Sequence, residues 1–194
     1  MKNDSITVVS GLPRSGTSLM MQMLAAGGIP PLTDNLRAAD ESNPHGYFEF
    51  DPVKRLRSDG GWLDQARGRA VKIIHVLVRE LPADGQFNYR LLLMKLPFAL
   101  QHRALTGENL SNGSASADDA TLAKIFQSQL EELERWLVAQ PAFSFLAVDY
   151  HRVLKERLEI AREVNAFLQA NLNLEAMAAV VDPALYRQRR TKID

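Results

Sequence analysis

Apolar positions along this chain follow two different spacings. Four short runs are almost continuously apolar: 6–9, 70–74, 90–94 and 143–148. Runs of that length, rich in Val, Ile and Leu, read as strands buried on both faces. Between them the spacing becomes helical. Residues 17–26 predict a helix that stops at Gly27-Gly28. Residues 120–139 predict the clearest one: Leu122, Ile125, Phe126, Leu130, Leu133 and Leu137 form a stripe, with Glu131, Glu132, Glu134 and Arg135 opposite. Residues 158–168 predict a further amphipathic helix, 51–63 a helical piece with Pro52 near its start, and 76–81 a short helix. Strands alternating with helices predict an α/β fold, a three-layer sandwich whose parallel central sheet is flanked by helices through right-handed crossovers.

Two stretches break the pattern. Residues 29–47 are rich in Pro, Asp and Asn and read as loop, with a short helical piece at 36–39. Residues 107–119, rich in Ser, Asn, Gly and Asp, read as a mobile loop or lid. The length of 194 residues and the absence of an internal repeat predict one domain over 1–194. Lys and Arg number 23, matched by 23 Asp and Glu. No global field therefore argues for nucleic acid or a membrane surface as partner. The chain has no cysteine, which excludes disulfides, thiolate metal sites and a cysteine nucleophile and fits the cytoplasm. It shows no secretory leader and no bilayer-length apolar run. Oligomeric state is not legible at this level.

The candidate chemistry starts at the end of the first strand. Gly11-Leu12-Pro13-Arg14-Ser15-Gly16-Thr17-Ser18 joins that strand to the first helix. Such a loop aims backbone N–H groups and a helix N-terminus at one point, a ready site for an anion. The glycine spacing is that of a Walker A loop, but Thr17 stands where the lysine belongs, and Arg14 is the loop's cation. A nucleotide triphosphatase depends on that lysine, so a P-loop kinase is disfavoured.

The run Gly11 to Leu19 resembles the sulfate-binding loop of sulfotransferases that use 3′-phosphoadenosine 5′-phosphosulfate (PAPS). Cytosolic members usually carry lysine at the place of Arg14; tyrosylprotein sulfotransferases and many bacterial relatives carry arginine. Asn43-Pro44-His45-Gly46-Tyr47-Phe48-Glu49 and the stretch from Val181 to Arg190 are similar to segments of small bacterial sulfotransferase-like proteins. The resemblance implies a P-loop sulfotransferase fold and transfer of a sulfuryl group from PAPS to a hydroxyl or amine acceptor, leaving adenosine 3′,5′-bisphosphate, with no metal. Gly11, Arg14, Ser15, Gly16, Thr17 and Ser18 would bind the 5′-phosphosulfate through backbone N–H groups and hydroxyls, with Pro13 part of the same cofactor-binding loop. Arg14 would also neutralise the bridging oxygen as the S–O bond breaks. The alternative is a non-catalytic nucleotide-binding or interaction protein that keeps the same fold.

Further residues follow from the same resemblance. Anchored on Leu81-Pro82, His75 falls on the family's general base, and Lys72 matches its lysine with one extra residue between them. A neutral imidazole suits proton removal near neutral pH. The alternative reading of His75 is a partly buried residue that satisfies backbone groups. Some sulfotransferases with a Pro-Arg-Ser-Gly-Thr loop use a glutamate after the first helix instead. Asp34, Asp40, Glu41 and Glu49 lie in that region, with Glu41 preferred on spacing. For the 3′-phosphate the family uses an arginine after the third strand and a serine eight residues later. Lys95 and Arg103 occupy those places, and Arg187 and Arg189 match its late basic segment by position. Tyr47, Phe48, Phe50 and Trp62 would line an acceptor pocket or fill the core.

Overall fold

The computed structural model describes residues 5–34, 36, 46–96 and 117–182. Four strands, β1 (Ile6–Gly11), β2 (Ala70–Lys72), β3 (Tyr89–Lys95) and β4 (Phe143–Asp149), form one sheet in the order β2-β1-β3-β4. Every pairing is parallel; Val8 lies opposite Val71 on one side and Leu91 on the other, and Leu91 lies opposite Phe145. The described α-helices are α1 (Thr17–Gly27), α2 (Ala117–Val138), α3 (Tyr150–Lys155), α4 (Arg157–Leu168) and α5 (Leu174–Ala179). Shorter 3₁₀ segments cover Asp51–Arg55, Leu63–Ala66 and His75–Glu80.

All four apolar runs are strands, and alternation within them builds two cores. Ile6, Val8, Val71, Ile73, Leu91, Leu93 and Phe143 pack on the side of α2 and the 3₁₀ segments. Val9, Ala70, Leu92, Met94 and Val148 pack on the side of α1, α4 and α5. Leu91, Leu92 and Leu93 are all fully buried. Burial of each such side chain stabilises the sheet by about 1.5–3 kcal/mol. Tyr89 stacks on Phe143 at 4.5 Å, and Trp136 of α2 meets Phe143 edge-on at 5.2 Å. The α2 stripe is buried at Leu133 and Leu137, whereas Ile125, expected within it, is 48% exposed.

Several elements differ from expectation for local reasons. The single helix expected over 51–63 is two 3₁₀ pieces. Ser58 Oγ donates to the Arg55 carbonyl, Asp59 Oδ1 accepts from Gly61 N–H, and these side-chain bonds close turns that end the first piece. The short helices α3 and α5 were not anticipated; each starts on an Asx cap. Asp149 accepts the Arg152 N–H at 3.0 Å and Asn173 the Ala176 N–H at 3.0 Å. Residues 117–119, expected in a loop, begin α2. The rest of 107–119 and most of 36–39 lie outside the described residues.

The topology selects one edge for a ligand. From β1 the chain moves outward to β2, then returns past β1 to reach β3. The crossovers therefore leave β1 in opposite directions. In open parallel sheets, that arrangement opens a crevice beyond the carboxyl ends of the strands. The Gly11–Gly16 loop lies at this edge.

Candidate functional site

The loop after β1 is shaped by its backbone. Gly11 has φ 153°, and a Cβ there would lie 2.5 Å from Ser15 Oγ and 2.7 Å from the Met94 carbonyl oxygen. Ser15 N–H and Ser15 Oγ both donate to the Leu12 carbonyl, at 3.2 and 2.8 Å, and the side chain is fully buried. The Ser15 hydroxyl, expected to bind the anion, donates here to the Leu12 carbonyl and closes the loop. Pro13 and Arg14 are exposed at the tip, with Arg14 in the left-handed region at φ 68°. For a non-glycine residue this conformation is uncommon and strained.

Gly16 then caps α1 at φ 92° with no side-chain cap bond. The first intrahelical bond runs from Met20 N–H to the Gly16 carbonyl at 3.0 Å. The N–H groups of Thr17, Ser18 and Leu19 therefore have no acceptor within the helix. The first turn also contains no acidic residue to compete for them. An anion placed there meets both these donors and the positive end of the helix dipole. The ring of Tyr150 closes one side of the turn: a Cβ on Gly16 would lie 2.3 Å from Tyr150 Cδ2.

Lys72 adds a second cation to this turn. It ends β2, and its Nζ donates to the Tyr47 carbonyl at 2.8 Å and to Ser18 Oγ at 3.3 Å. It also lies 5.9 Å from the Tyr47 ring centroid. His75, three residues later, turns to the other face of the sheet. It is 8% exposed, and its Nε2 lies 2.9 Å from Gln129 Oε1 on α2. His75 Nδ1 is buried with no partner among the described residues, as is Ser10 Oγ just before the loop. Lys72 and His75 thus reach helices on opposite faces of one sheet edge.

The other candidates fall into four groups. Asp34 is engaged in structure: its carboxylate accepts the Asp51 N–H at 2.5 Å and the Leu36 N–H at 3.0 Å. Those backbone bonds hold its carboxyl below the ordinary aspartate value, which makes it a poorer proton acceptor. Lys95, at the end of β3, forms an ion pair with Glu134 of α2. Phe50 and Trp62 are core residues in edge contact at 5.5 Å, Phe48 packs on the α1 side, and Tyr47 is buried beneath Lys72. Asp40, Glu41, Arg103, Arg187 and Arg189 lie outside the described residues. Among the described residues no group of three or more His, Cys, Asp or Glu side chains is arranged to hold a metal.

Two residues at the site had not been singled out from sequence. Tyr150 follows β4 directly, and its place at the carboxyl end of a strand was the available signal. Gln129 stands between Ile125 and Leu133 at four-residue spacing, a polar interruption in an apolar row. A cavity of about 320 Å³ lies elsewhere, at the amino ends of the strands, bordered by Ser5, Asn88, Arg90 and Ser144. Its cation is engaged: Arg90 donates to the Phe167 carbonyl and to Gln169 Oε1.

No family model and no curated protein matches the chain. Among solved structures it is similar to the sulfotransferase domain of the Synechococcus PCC 7002 olefin synthase. That match has 15% identity and a TM-score of 0.59, covering 98% of this chain and 89% of that one. The sulfotransferase domain of the curacin biosynthetic pathway matches at 12% identity and a TM-score of 0.48, covering 98% and 79%. A sugar kinase from Janibacter sp. HTCC2649 matches at 15% identity and a TM-score of 0.42, covering 92% and 98%. The first of these shows the fold to be sulfotransferase-like: an α/β parallel sheet flanked by helices. No helix among the described residues is long and apolar enough to cross a membrane.

Proposed function

We propose that this chain is a PAPS-dependent sulfotransferase acting on a hydroxyl or amine acceptor. The observation that carries the reading is the start of α1. Uncapped N–H groups and the Lys72 ammonium meet there, the exposed Arg14 lies two residues before Gly16, and no Walker lysine is present. The set fits a phosphosulfate: donors for its oxygens, and cations for the charge that develops on the bridging oxygen. The backbone of Gly16 to Ser18 and the Thr17 and Ser18 hydroxyls hold the anion. Arg14 stabilises the bridging oxygen as its bond to sulfur breaks and the electron pair stays with adenosine 3′,5′-bisphosphate. Lys72 fixes Ser18 and adds positive charge. A new bond forms between sulfur and the acceptor oxygen or nitrogen, whose proton passes to His75. Little covalent work falls to the protein, so positioning and charge account for most of the catalysis.

A second reading is favoured by one observation. Lys95, matched to the 3′-phosphate site, is neutralised by Glu134. A chain lacking that site would bind nucleotides without preference for a 3′-phosphate. A thermal-shift titration separates the readings. Adenosine 3′,5′-bisphosphate at a hundred times its Kd should stabilise the protein by about 2.7 kcal/mol, while AMP and ATP with magnesium at the same concentrations do much less. Equal effects from all three, or none from any, would overturn the sulfotransferase reading. Arg14→Ala should lower turnover more than affinity, because its charge matters most in the transition state.

A further inference from the structure

Resting on the reading of His75 as the base, we propose that Gln129 is a positioning residue. It holds His75 in the tautomer with hydrogen on Nε2, so that Nδ1 is the nitrogen that takes the acceptor's proton. The hydrogen-bond partner of Nε2 is an amide carbonyl oxygen, Gln129 Oε1, at 2.9 Å. An amide oxygen only accepts, so the bond requires hydrogen on Nε2. The neutral ring then carries its lone pair on Nδ1.

The unpaired atoms agree. Nδ1 is buried and has no partner among the described residues. The opposite tautomer would bury an unpaired N–H, which native structures avoid more strictly than an unpaired acceptor. An acceptor hydroxyl that donates to Nδ1 would satisfy it. Ser10 Oγ, likewise unpaired, alternates along β1 with Ile6 and Val8 and so belongs to the same face of the sheet as α2. Ser10 Oγ and His75 Nδ1 are thus two unsatisfied polar atoms toward the carboxyl edge of one face. Gln129 does not reach the reacting atoms; its action is exerted through the ring it orients, as a carboxylate does in a Ser-His-Asp triad.

The tautomer can be read without knowing the acceptor. Long-range ¹H–¹⁵N correlation spectra of the full chain, taken where His75 is neutral, should show hydrogen on Nε2 and a bare Nδ1. Gln129→Met keeps length and loses the acceptor, so the Nε2 proton should lose its hydrogen-bonded downfield shift and exchange faster with water. Gln129→Glu keeps an acceptor oxygen, so the wild-type pattern should persist. Hydrogen on Nδ1 in the wild type, or an Nε2 proton unchanged in shift and exchange in Gln129→Met, would overturn the proposal. Should Gln129→Met unfold, the wild-type and Gln129→Glu spectra still decide. Once an acceptor is known, Gln129→Met should lower kcat about tenfold with KM little changed, a part of the roughly 10²–10⁴-fold that general-base catalysis contributes. His75→Ala is the separate control: full activity in that variant would dismiss His75 as the base while leaving the tautomer result standing.

Discussion

The loop before α1 and the histidine after β2 lie at one edge of the sheet, yet they are held in different ways. The loop is a backbone device. Gly11, Gly16 and Arg14 take positive φ values, Ser15 ties itself to Leu12, and Tyr150 closes against Gly16. A side chain at Gly11 or Gly16 would meet its neighbours below 3 Å. His75 is held by one long-range side-chain bond to Gln129, 54 residues away, with one ring nitrogen left over. The first region therefore suits the binding of a fixed anionic group common to many substrates. The second suits chemistry that a single substitution can tune.

The largest effect that would test this contrast comes from Gly16→Val. A β-branched residue at φ 92° must also enter the space of the Tyr150 ring. Left-handed strain and overpacking together should cost about 2–5 kcal/mol, read by calorimetry as a large fall in Tm, with nucleotide binding lost. A fall worth less than about 1 kcal/mol would show that the loop is not rigid. Next comes Lys72→Met, which leaves the Tyr47 carbonyl and Ser18 Oγ without the ammonium. Chemical denaturation should record a loss of about 1–3 kcal/mol, together with weaker nucleotide binding. The His75 tautomer should not change; if it does, the two regions are not independent.

The smallest effect sharpens the contrast between engaged and free candidate bases. Asp34 has a lowered pKa in the folded protein because two backbone N–H groups hold its charged form. Its contribution is therefore present above the unfolded aspartate value, roughly 3.9, and is lost as pH falls through the lower folded value. Asp34→Ala should cost no more than about 1 kcal/mol at pH 7. Equilibrium unfolding as a function of pH should show wild type and variant converging at acid pH. A difference that grows toward low pH would contradict the assignment.

What could be read from the chain divides along the same line. The strand, glycines and helix start of the anion loop lie within consecutive residues, so local spacing was sufficient. The same holds for the four strands, whose apolar runs carry their own signal. The Ser15–Leu12 bond was not legible because neighbouring residues do not say whether a hydroxyl turns outward or back to Leu12. The Lys72–Ser18 bond and the His75–Gln129 bond each join residues 54 positions apart. Such pairs exist only once the sheet has brought α1 and α2 to opposite faces of β2. The caps of α3 and α5 were visible as Asp149 and Asn173, but the helices are too short for a periodic pattern.

The most direct test of the account follows the backbone amides at the start of α1. In ¹H–¹⁵N spectra titrated with adenosine 3′,5′-bisphosphate, the amides of Gly16, Thr17, Ser18 and Leu19 should shift most, with Arg14 beside them. Ser15, whose N–H is bonded to Leu12, should move less. Saturating shifts confined to Ser5, Asn88 and Arg90 around the cavity at the opposite edge, with the α1 amides unmoved, would contradict the claim that this loop is the anion site.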